Sequence, residues 1–224
     1  PAARADGHAW RARACAVLTG IGTVLADNPR LDVRDVPTER QPALVLVDSA
    51  LAVPLDALLF GASRRTYIYT AVANEERRSA LEALGATVIT MPNKAGKVDL
   101  PAMLQDLGRR EINELHVEAG YKLNGSLLRE GLIDELLVYL APKLMGEGMG
   151  LAQMSPLTSL ADAHALSFPA GQAGVHLGIR GQREAQLRAA GRRGGGLHVG
   201  RLPQAQHAPT ALTAQGEHGE AGRL

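Results

Sequence analysis

Short apolar runs alternate with amphipathic runs over roughly residues 14–141. Buried strands are predicted at Cys15–Thr19, Ala43–Val47, Thr66–Thr70, Ala86–Met91, Leu115–Val117 and Leu136–Ala141, with a short edge strand at Leu31–Arg34. Helices are predicted at Arg4–Arg13, Glu75–Leu84, from Asp99 to about Arg110, and at Ser126–Gly131. This alternation is typical of an α/β domain with a mainly parallel sheet and helices on both faces.

The pattern breaks down near Phe168. Residues 171–224 contain 12 glycines, no Phe, Trp or Tyr, and few apolar clusters, although Val175–Ile179 hints at a strand. Such a composition buries too little surface to offset the entropy lost on ordering the chain. We therefore expect a folded domain over 1–167 and a Gly/Arg/Ala-rich, disordered tail over 168–224.

Composition and charge exclude several classes of protein. The single cysteine, Cys15, excludes a disulfide framework within the chain and suits a reducing, cytoplasmic location. No apolar run reaches about 18 residues, so no membrane span is expected. The net charge of +1 divides into +4 over 171–224 and −3 before it. The tail arginines lack interleaved aromatics, which argues against a nucleic-acid partner.

The stretch after the Leu115–Val117 strand is the strongest candidate for a site. Glu118 stands near the end of the strand, and Gly120 and Gly125 bracket four residues before the helix predicted at Ser126. Backbone N–H groups and the helix dipole make such a corner suitable for an anion. The alternative is an ordinary turn whose glycine needs a positive φ.

A second candidate follows the Cys15–Thr19 strand. Two glycines, Gly20 and Gly22, suggest a dinucleotide fingerprint, but Leu25 stands where its third glycine belongs. Thr23 offers a hydroxyl and Asp27 a carboxylate at this edge. The alternative for Asp27 is that it only caps the following turn.

A third candidate closes the Ala43–Val47 strand with Asp48 and Ser49. Open α/β sheets place ligands at the carboxyl ends of their strands, although a cap is an equally good interpretation of this dipeptide.

The sequence lacks the complete motifs of several other kinds of catalytic site. His116-Val117-Glu118 is half of a zinc-deaminase signature without the P-C-x-x-C half, and neither a G-x-S-x-G elbow nor a P-loop occurs. No metal site is expected.

Three segments, Ala16–Arg34, Pro42–Ser49 and His116–Gly146, carry the motifs T-V-L-A-D-N-P, V-D-S and V-E-A-G with G-S-L-L. In this order and spacing they resemble the reductase domain of the bifunctional bacterial riboflavin-biosynthesis protein. The resemblance implies a dihydrofolate-reductase-like fold and a homodimer with a deaminase domain upstream. It also implies an oxidoreductase that reduces 5-amino-6-(5-phosphoribosylamino)uracil to the ribitylamino product with NADPH.

The resemblance also assigns roles to residues. The implied cofactor-binding residues are Thr23, Asp27, Ser49 and a turn made of Gly120, Tyr121, Lys122, Leu123, Asn124, Gly125 and Ser126. The implied substrate-binding residues are Arg11, Leu31, Arg34 and Glu118. Guanidinium groups suit the substrate phosphate, although a solvated surface charge is the commoner fate of an arginine. Our hypothesis for catalysis is that Glu118 and Asp27 hydrogen-bond the substrate and assist proton transfer during ring opening.

The chain departs from the family pattern at both ends. A strand and a loop that the family places before residue 1 are expected to be missing, as is the deaminase domain. After Phe168 the sequence looks like a gene read in a shifted frame, so the C-terminal part is expected to be aberrant. The alternatives to the reductase are a nucleotide-binding module, an inactive truncated fragment, or a related pterin or folate reductase.

Overall fold

The computed structural model describes residues 2–139, 146–159, 161, 163, 187–189 and 195–199. At residue 2 and at 187–189 and 195–199 it describes the backbone only. Five α-helices occur in this part of the chain: α1 Ala2–Arg13, α2 Ile21–Asp27, α3 Glu75–Ala83, α4 Leu100–Arg109 and α5 Tyr121–Arg129. Its eight strands are β1 Ala16–Gly20, β2 Ala43–Val47, β3 Thr66–Thr70, β4 Ala86–Thr90, β5 Leu115–Val117, β6 Glu135–Val138, β7 Leu187–Ala189 and β8 Gly195–Val199. A 3-10 turn spans Leu58–Gly61.

The sheet has the strand order β4-β3-β2-β1-β5-β8-β6-β7, and β1 to β5 run parallel to one another. The chain moves outward from β1 through β2 and β3 to β4. It then returns through α4 to place β5 on the other side of β1. The direction of winding therefore reverses between β1 and β5, and open α/β sheets form their ligand crevice at such a point.

Apolar side chains of alternating strand positions fill two cores, one on each face of the sheet. Leu18 and Val117 belong to the core that α4 and α5 cover, where Met103 and Leu127 are fully buried. Val17 belongs to the opposite core, with Val24 of α2 and Leu81 of α3. No helix in the described residues is long and apolar enough to cross a membrane. The predicted mainly parallel α/β fold with helices on both faces is confirmed.

The predicted edge strand at Leu31–Arg34 is wrong, because these residues form a loop. Leu31 takes a left-handed conformation with φ 52°, which cannot continue a strand, yet its side chain is buried. The Arg64 guanidinium donates to the carbonyls of Leu31 at 2.6 Å and Arg30 at 2.7 Å. A contact from more than thirty residues away therefore overrides the local strand pattern.

The helix predicted at Ser126–Gly131 is α5, which begins five residues earlier at Tyr121 and ends at Arg129. Gly125 therefore lies inside a helix instead of ending a turn. A Cβ placed on Gly125 would stand 2.2 Å from the carbonyl oxygen of Gln153, so the glycine makes room for the backbone of the 146–159 segment. Gln153 N–H also donates to the Tyr121 carbonyl at 2.9 Å.

Two strands, β7 and β8, lie in the segment predicted to be disordered. β8 runs antiparallel between β5 and β6, and β7 pairs parallel with β6. The structure thus gives these eight residues as strands, and disorder of the tail as a whole stays a prediction. The hinted strand at Val175–Ile179, the end of the strand predicted at 136–141 and the rest of 168–224 lie outside the described residues, so the shifted reading frame stays a prediction.

We expect Gly125→Ala to destabilise the fold, because its methyl group would collide with backbone atoms of Gln153. Overpacking of this kind costs about 1–3 kcal/mol, measurable as the free energy of unfolding in urea. The matched control is Gly108→Ala in α4, where no atom lies within 4 Å of the added Cβ. That change should be neutral or stabilise by up to about 1 kcal/mol. Equal stability of the two variants would contradict the packing of Gln153 on α5.

Candidate active site

The carboxyl ends of β2, β1 and β5 meet at one edge of the sheet, where α2 and α5 begin. Gly20 and Gly120 are the cap residues of these helices, and neither end has a side-chain cap hydrogen bond. A Cβ on Gly120 would stand 3.5 Å from the Thr23 hydroxyl oxygen, and one on Gly20 would stand 3.1 Å from Leu123. The structure therefore brings together two of the three corners that the sequence singled out.

The first turn of α5 has the backbone groups that a site for an anion requires. The N–H groups at a helix start have no partner within the helix, and the dipole adds positive potential. Residues 120–123 occupy this end, and Lys122 adds an exposed positive charge. The predicted turn from Gly120 to Ser126 is wrong as a turn, but its first residues stand where an anion-binding corner requires them.

The last three residues of that predicted turn are engaged elsewhere. Buried Asn124 donates through Nδ2 to the Leu151 carbonyl at 3.0 Å, and Gly125 packs on Gln153. The Ser126 hydroxyl donates to the Lys122 carbonyl at 3.2 Å within the helix. A cofactor contact from these three residues stays a prediction, and none of these contacts supports it.

Thr23 and Asp27 share one face of α2, since they stand four residues apart. Thr23 is half-buried beside Gly120, whereas Asp27 is exposed at the last position of the helix. Asn28 follows in a left-handed conformation and accepts the Leu58 N–H through its side chain at 2.9 Å. The helix end is thus fixed by Asn28, which leaves the Asp27 carboxylate open to solvent.

Ser49 lies two residues after the end of β2, the strand that pairs with β1 in the sheet. Its hydroxyl oxygen accepts the Val98 N–H at 3.2 Å, so its own hydrogen remains available for donation. Asp48 is fully buried and accepts the N–H groups of Ala50 at 3.3 Å and Val53 at 2.8 Å. The cap interpretation is therefore confirmed for Asp48, and Ser49 remains a site candidate.

Glu118 anchors the other side of this edge. Its N–H continues the strand ladder to the Leu18 carbonyl at 2.8 Å, and its carbonyl accepts the Thr19 hydroxyl at 2.8 Å. Its carboxylate accepts both Nε and Nη2 of Arg11 from α1, the second at 2.7 Å. The remaining nitrogen, Nη1, donates to the Asp32 carbonyl at 2.9 Å. The ion pair therefore ties α1 and the 30–34 loop to the end of β5.

Electrostatics keep both members of this pair charged. Burial alone would raise the pKa of Glu118, but hydrogen bonds from Arg11 and His116 outweigh it and lower the pKa to about 2. Burial would lower the pKa of Arg11, and the Glu118 carboxylate outweighs it in turn, so the pKa rises. His116 lies two residues before Glu118 on the same face of β5, with Nε2 at 3.4 Å from the carboxylate.

The 30–34 loop carries the other predicted substrate residues. Leu31 is buried in the core, so its side chain does not line an open surface. Asp32, also buried, accepts Arg30 Nε at 3.0 Å on one oxygen and Arg34 Nη1 at 2.6 Å on the other. The Arg34 side chain remains 45% exposed, against 15% for Arg11. Of the two arginines expected to bind phosphate, only Arg34 is therefore open to a ligand.

Two residues of this region, Asp32 and Arg64, escaped the sequence reasoning, and His116 was considered only as part of an incomplete zinc-deaminase signature. Asp32 stands two residues from Arg30 and from Arg34, a local signal that was available. His116 could have been paired with Glu118 by the two-residue period of a strand. Arg64 gives no local signal, because its partners are backbone carbonyls distant in sequence. Among the described residues, no group of three or more His, Cys, Asp or Glu could hold a metal ion.

Comparisons with known proteins identify the family to which the chain belongs. The RibD protein of Escherichia coli, a riboflavin biosynthesis protein, is 36% identical over 179 residues, covering 75% of this chain and 48% of its own length. The 5-amino-6-(5-phosphoribosylamino)uracil reductase of Buchnera aphidicola is 29% identical over 154 residues, covering 64% of this chain and 73% of its own. The chain thus spans about half the length of the bacterial RibD protein that it matches.

The solved structure of Acinetobacter baumannii RibD matches with a TM-score of 0.62 at 25% identity, over 89% of this chain and 50% of that one. The model of the RibD C-terminal domain family matches residues 1–173. The matched residues include strands β1 to β6, the starts of α2 and α5, and both members of the Arg11–Glu118 pair. The chain therefore belongs to the RibD C-terminal domain family, whose fold is dihydrofolate-reductase-like.

Proposed function

We propose that the chain reduces 5-amino-6-(5-phosphoribosylamino)uracil to its ribitylamino product with NADPH, a step of riboflavin biosynthesis. One observation carries the proposal: the uncapped start of α5 lies beside Thr23, at the same edge as the ionised Glu118–Arg11 pair. The edge thus combines an anion-binding corner with fixed charge. The name of the Buchnera relative supports the reaction class and the substrate.

The residues at this edge fit a dinucleotide. The glycine at position 120 leaves open the space that a Cβ would fill against Thr23, so a diphosphate can approach the backbone. Ser49 offers a hydroxyl two strands away, about 10 Å along the edge, which an extended dinucleotide covers. When bound, NADPH supplies the hydride, and the protein supplies orientation. The choice of NADPH over NADH follows the family resemblance.

Glu118 acts in this proposal as an anion. A carboxylate whose pKa is about 2 carries no proton at neutral pH, so it accepts hydrogen bonds and does not start as a proton donor. The two hydrogen bonds that Arg11 donates to the Glu118 carboxylate fix its position beside Thr19. The proposed role of Glu118 is therefore limited to orienting the substrate. Exposed Asp27 keeps the proposed role in both hydrogen bonding and proton transfer.

The domain organisation and the oligomeric state of the whole protein are also proposals, since the chain spans about half the length of its RibD relative. The whole protein is proposed to carry a deaminase domain upstream, on the family resemblance and because this chain matches 48% of the Escherichia coli RibD protein. A homodimer is proposed from the family resemblance. The test uses this chain alone, since residues 1–173 match the family model.

With NADPH and the aminouracil ribotide, the chain should consume NADPH, which is followed as loss of nicotinamide absorbance. Gly120→Leu should raise KM for NADPH by about tenfold or more, because its side chain fills the space beside Thr23. The control is Gly108→Leu in α4, which should leave KM for NADPH unchanged, because no atom lies within 4 Å of a Cβ added there and the residue is not part of this edge. Cofactor binding without turnover would favour the nucleotide-binding module. The absence of both binding and turnover would favour the inactive fragment.

Glu118→Gln and Asp27→Asn should each lower kcat/KM for the aminouracil ribotide by about tenfold or more, since each removes a charge assigned to the substrate. Steady-state kinetics with both substrates varied separates substrate from cofactor effects. Glu75→Gln is the control, because that side chain is 79% exposed on α3. Full turnover by either variant would remove that residue from the proposed machinery.

The Glu118–Arg11 pair also predicts how stability depends on pH. The pKa of Glu118 falls from 4.5 to about 2 on folding, so its stabilising contribution is present above pH 4.5 and is lost as the pH falls towards 2. Glu118→Gln leaves Arg11 unpaired and should cost about 3–5 kcal/mol at neutral pH. Urea unfolding should show the difference from wild type shrinking below pH 4.5. A difference that stays constant down to pH 2 would contradict this.

A further inference from the structure

A tight turn follows β4 at the same edge of the sheet as Ser49. This turn covers residues 92–98 and is closed at its base by the Asp99 N–H, which donates to the Met91 carbonyl at 2.9 Å. The Val98 N–H donates to the Ser49 hydroxyl oxygen at 3.2 Å. The 92–98 turn therefore reaches from β4 back to the end of β2, where Ser49 is proposed to contact the cofactor.

The side chain of Asn93 fixes the shape of the turn. Its Oδ1 accepts the N–H groups of Ala95 at 2.9 Å and Lys97 at 3.0 Å. Its own N–H donates to the Lys97 carbonyl at 2.6 Å. Gly96 completes the turn with φ 67°, a left-handed conformation that glycine adopts without steric cost. The side chains on the turn are therefore attached to a backbone that its own hydrogen bonds hold in place.

Two lysines, Lys94 and Lys97, stand on this fixed backbone, and both are exposed. Neither forms a salt bridge with any residue that the structure describes. The acid at the base of the turn, Asp99, accepts the Ala102 N–H at 2.9 Å as the cap of α4, whose positive end offsets its charge. Each lysine ammonium thus has three donors and a full charge to offer to an anion.

An open cavity of about 470 Å³ adjoins the turn. Its lining residues are Pro92, Asn93, Lys94, Ala95 and Asp99. The volume falls within the range of small-molecule sites, about 300–1,000 Å³. Pro92 and Ala95 give the cavity an apolar surface suited to a planar base, and Lys94 adds positive charge. The cavity and the lysines together have the chemistry that a phosphorylated nucleoside requires.

The place of the turn along the edge fits one end of a dinucleotide. The diphosphate corner at Gly120 follows β5, and Ser49 follows β2, two strands away. Strands are about 4.8 Å apart, so a nucleoside that extends from this corner past Ser49 covers about 10 Å and arrives at the 92–98 turn. NADPH differs from NADH by one phosphate, on the 2′ oxygen of the adenosine ribose.

We propose that Lys94 and Lys97 bind the 2′-phosphate of the cofactor's adenosine, and that the cavity beside them holds the adenine ring. A phosphate monoester carries a charge of about −1.5 to −2 at neutral pH, which two ammonium groups match. The inference rests on the proposed function for the identity of the cofactor. It gives the preference for NADPH over NADH a basis in two residues of this chain.

Calorimetry with adenosine nucleotides tests the turn without turnover. The wild-type chain should bind adenosine 2′,5′-bisphosphate about tenfold or more tighter than adenosine 5′-monophosphate, because only the bisphosphate carries the 2′ group. Lys94→Gln and Lys97→Gln should each lower this ratio by about fivefold, while Kd for the monophosphate stays within about twofold. Lys97→Arg keeps the charge and should keep most of the ratio.

Arg109→Gln is the matched control. It also removes one exposed positive charge, since the Arg109 side chain is 66% exposed, but from the last turn of α4 instead of the 92–98 turn. The control should keep the wild-type ratio within about twofold. In the reductase assay, the lysine variants should lower the ratio of kcat/KM for NADPH to that for NADH by a similar factor, with KM for the aminouracil ribotide unchanged.

The outcomes separate this inference from the proposed function. If the wild type reduces the ribotide and both lysine variants keep the full bisphosphate preference, the lysine site is overturned and the reductase stands. If the wild type shows no turnover, the reductase fails, and the calorimetric ratio still decides the lysine site. A ratio that falls only in the lysine variants supports it. A wild-type ratio near one, or an equal fall in Arg109→Gln, overturns it.

Discussion

The parallel pairing of β1 with β5 is the constraint on which the site depends. Leu18 stands opposite Val117, and the next N–H along, that of Glu118, donates to the Leu18 carbonyl. Because both strands end together, the helices that follow them begin together, and Gly120 comes to lie beside Thr23. Any shift in this register would move Gly120 away from Thr23 and Glu118 away from Thr19, since one residue of slip reverses every side chain in a strand.

The alternation of side chains along β5 then divides the site between the two faces of the sheet. Val117 points into the core beneath α5, whereas His116 and Glu118 lie on the face of α1 and the 30–34 loop. On the proposed function, a cofactor at the start of α5 and a substrate beside Glu118 would thus approach the edge from different sides. Their reacting ends would meet where β1 and β5 end, beside Glu118 and Thr19.

The sequence predicted those elements whose determinants are local. The bounds of β2 and β3 follow from continuous apolar or alternating runs, and Asn74 and Asp99 cap α3 and α4 through their side chains, as their positions indicate. The start of α5 was predicted five residues too late, because a glycine at position 125 is typical of a turn. The actual reason for this glycine is the packing of the Gln153 backbone against the helix. Local pattern carries no information about such distant partners.

The same distinction applies to the site. Glu118, Gly120 and Ser49 were recognisable because each follows a strand, and Arg34 came from the family resemblance. Arg64 was not found, because its importance lies in the distant carbonyls to which it donates, and Asp32 was missed although Arg30 and Arg34 each stand two residues from it. Burying charge in this way stabilises a fold only weakly, since desolvation offsets much of the attraction. The network in which Arg11 holds Glu118, Asp32 holds Arg34 and Arg64 holds the loop is therefore better explained as orientation of these charges than as a source of stability.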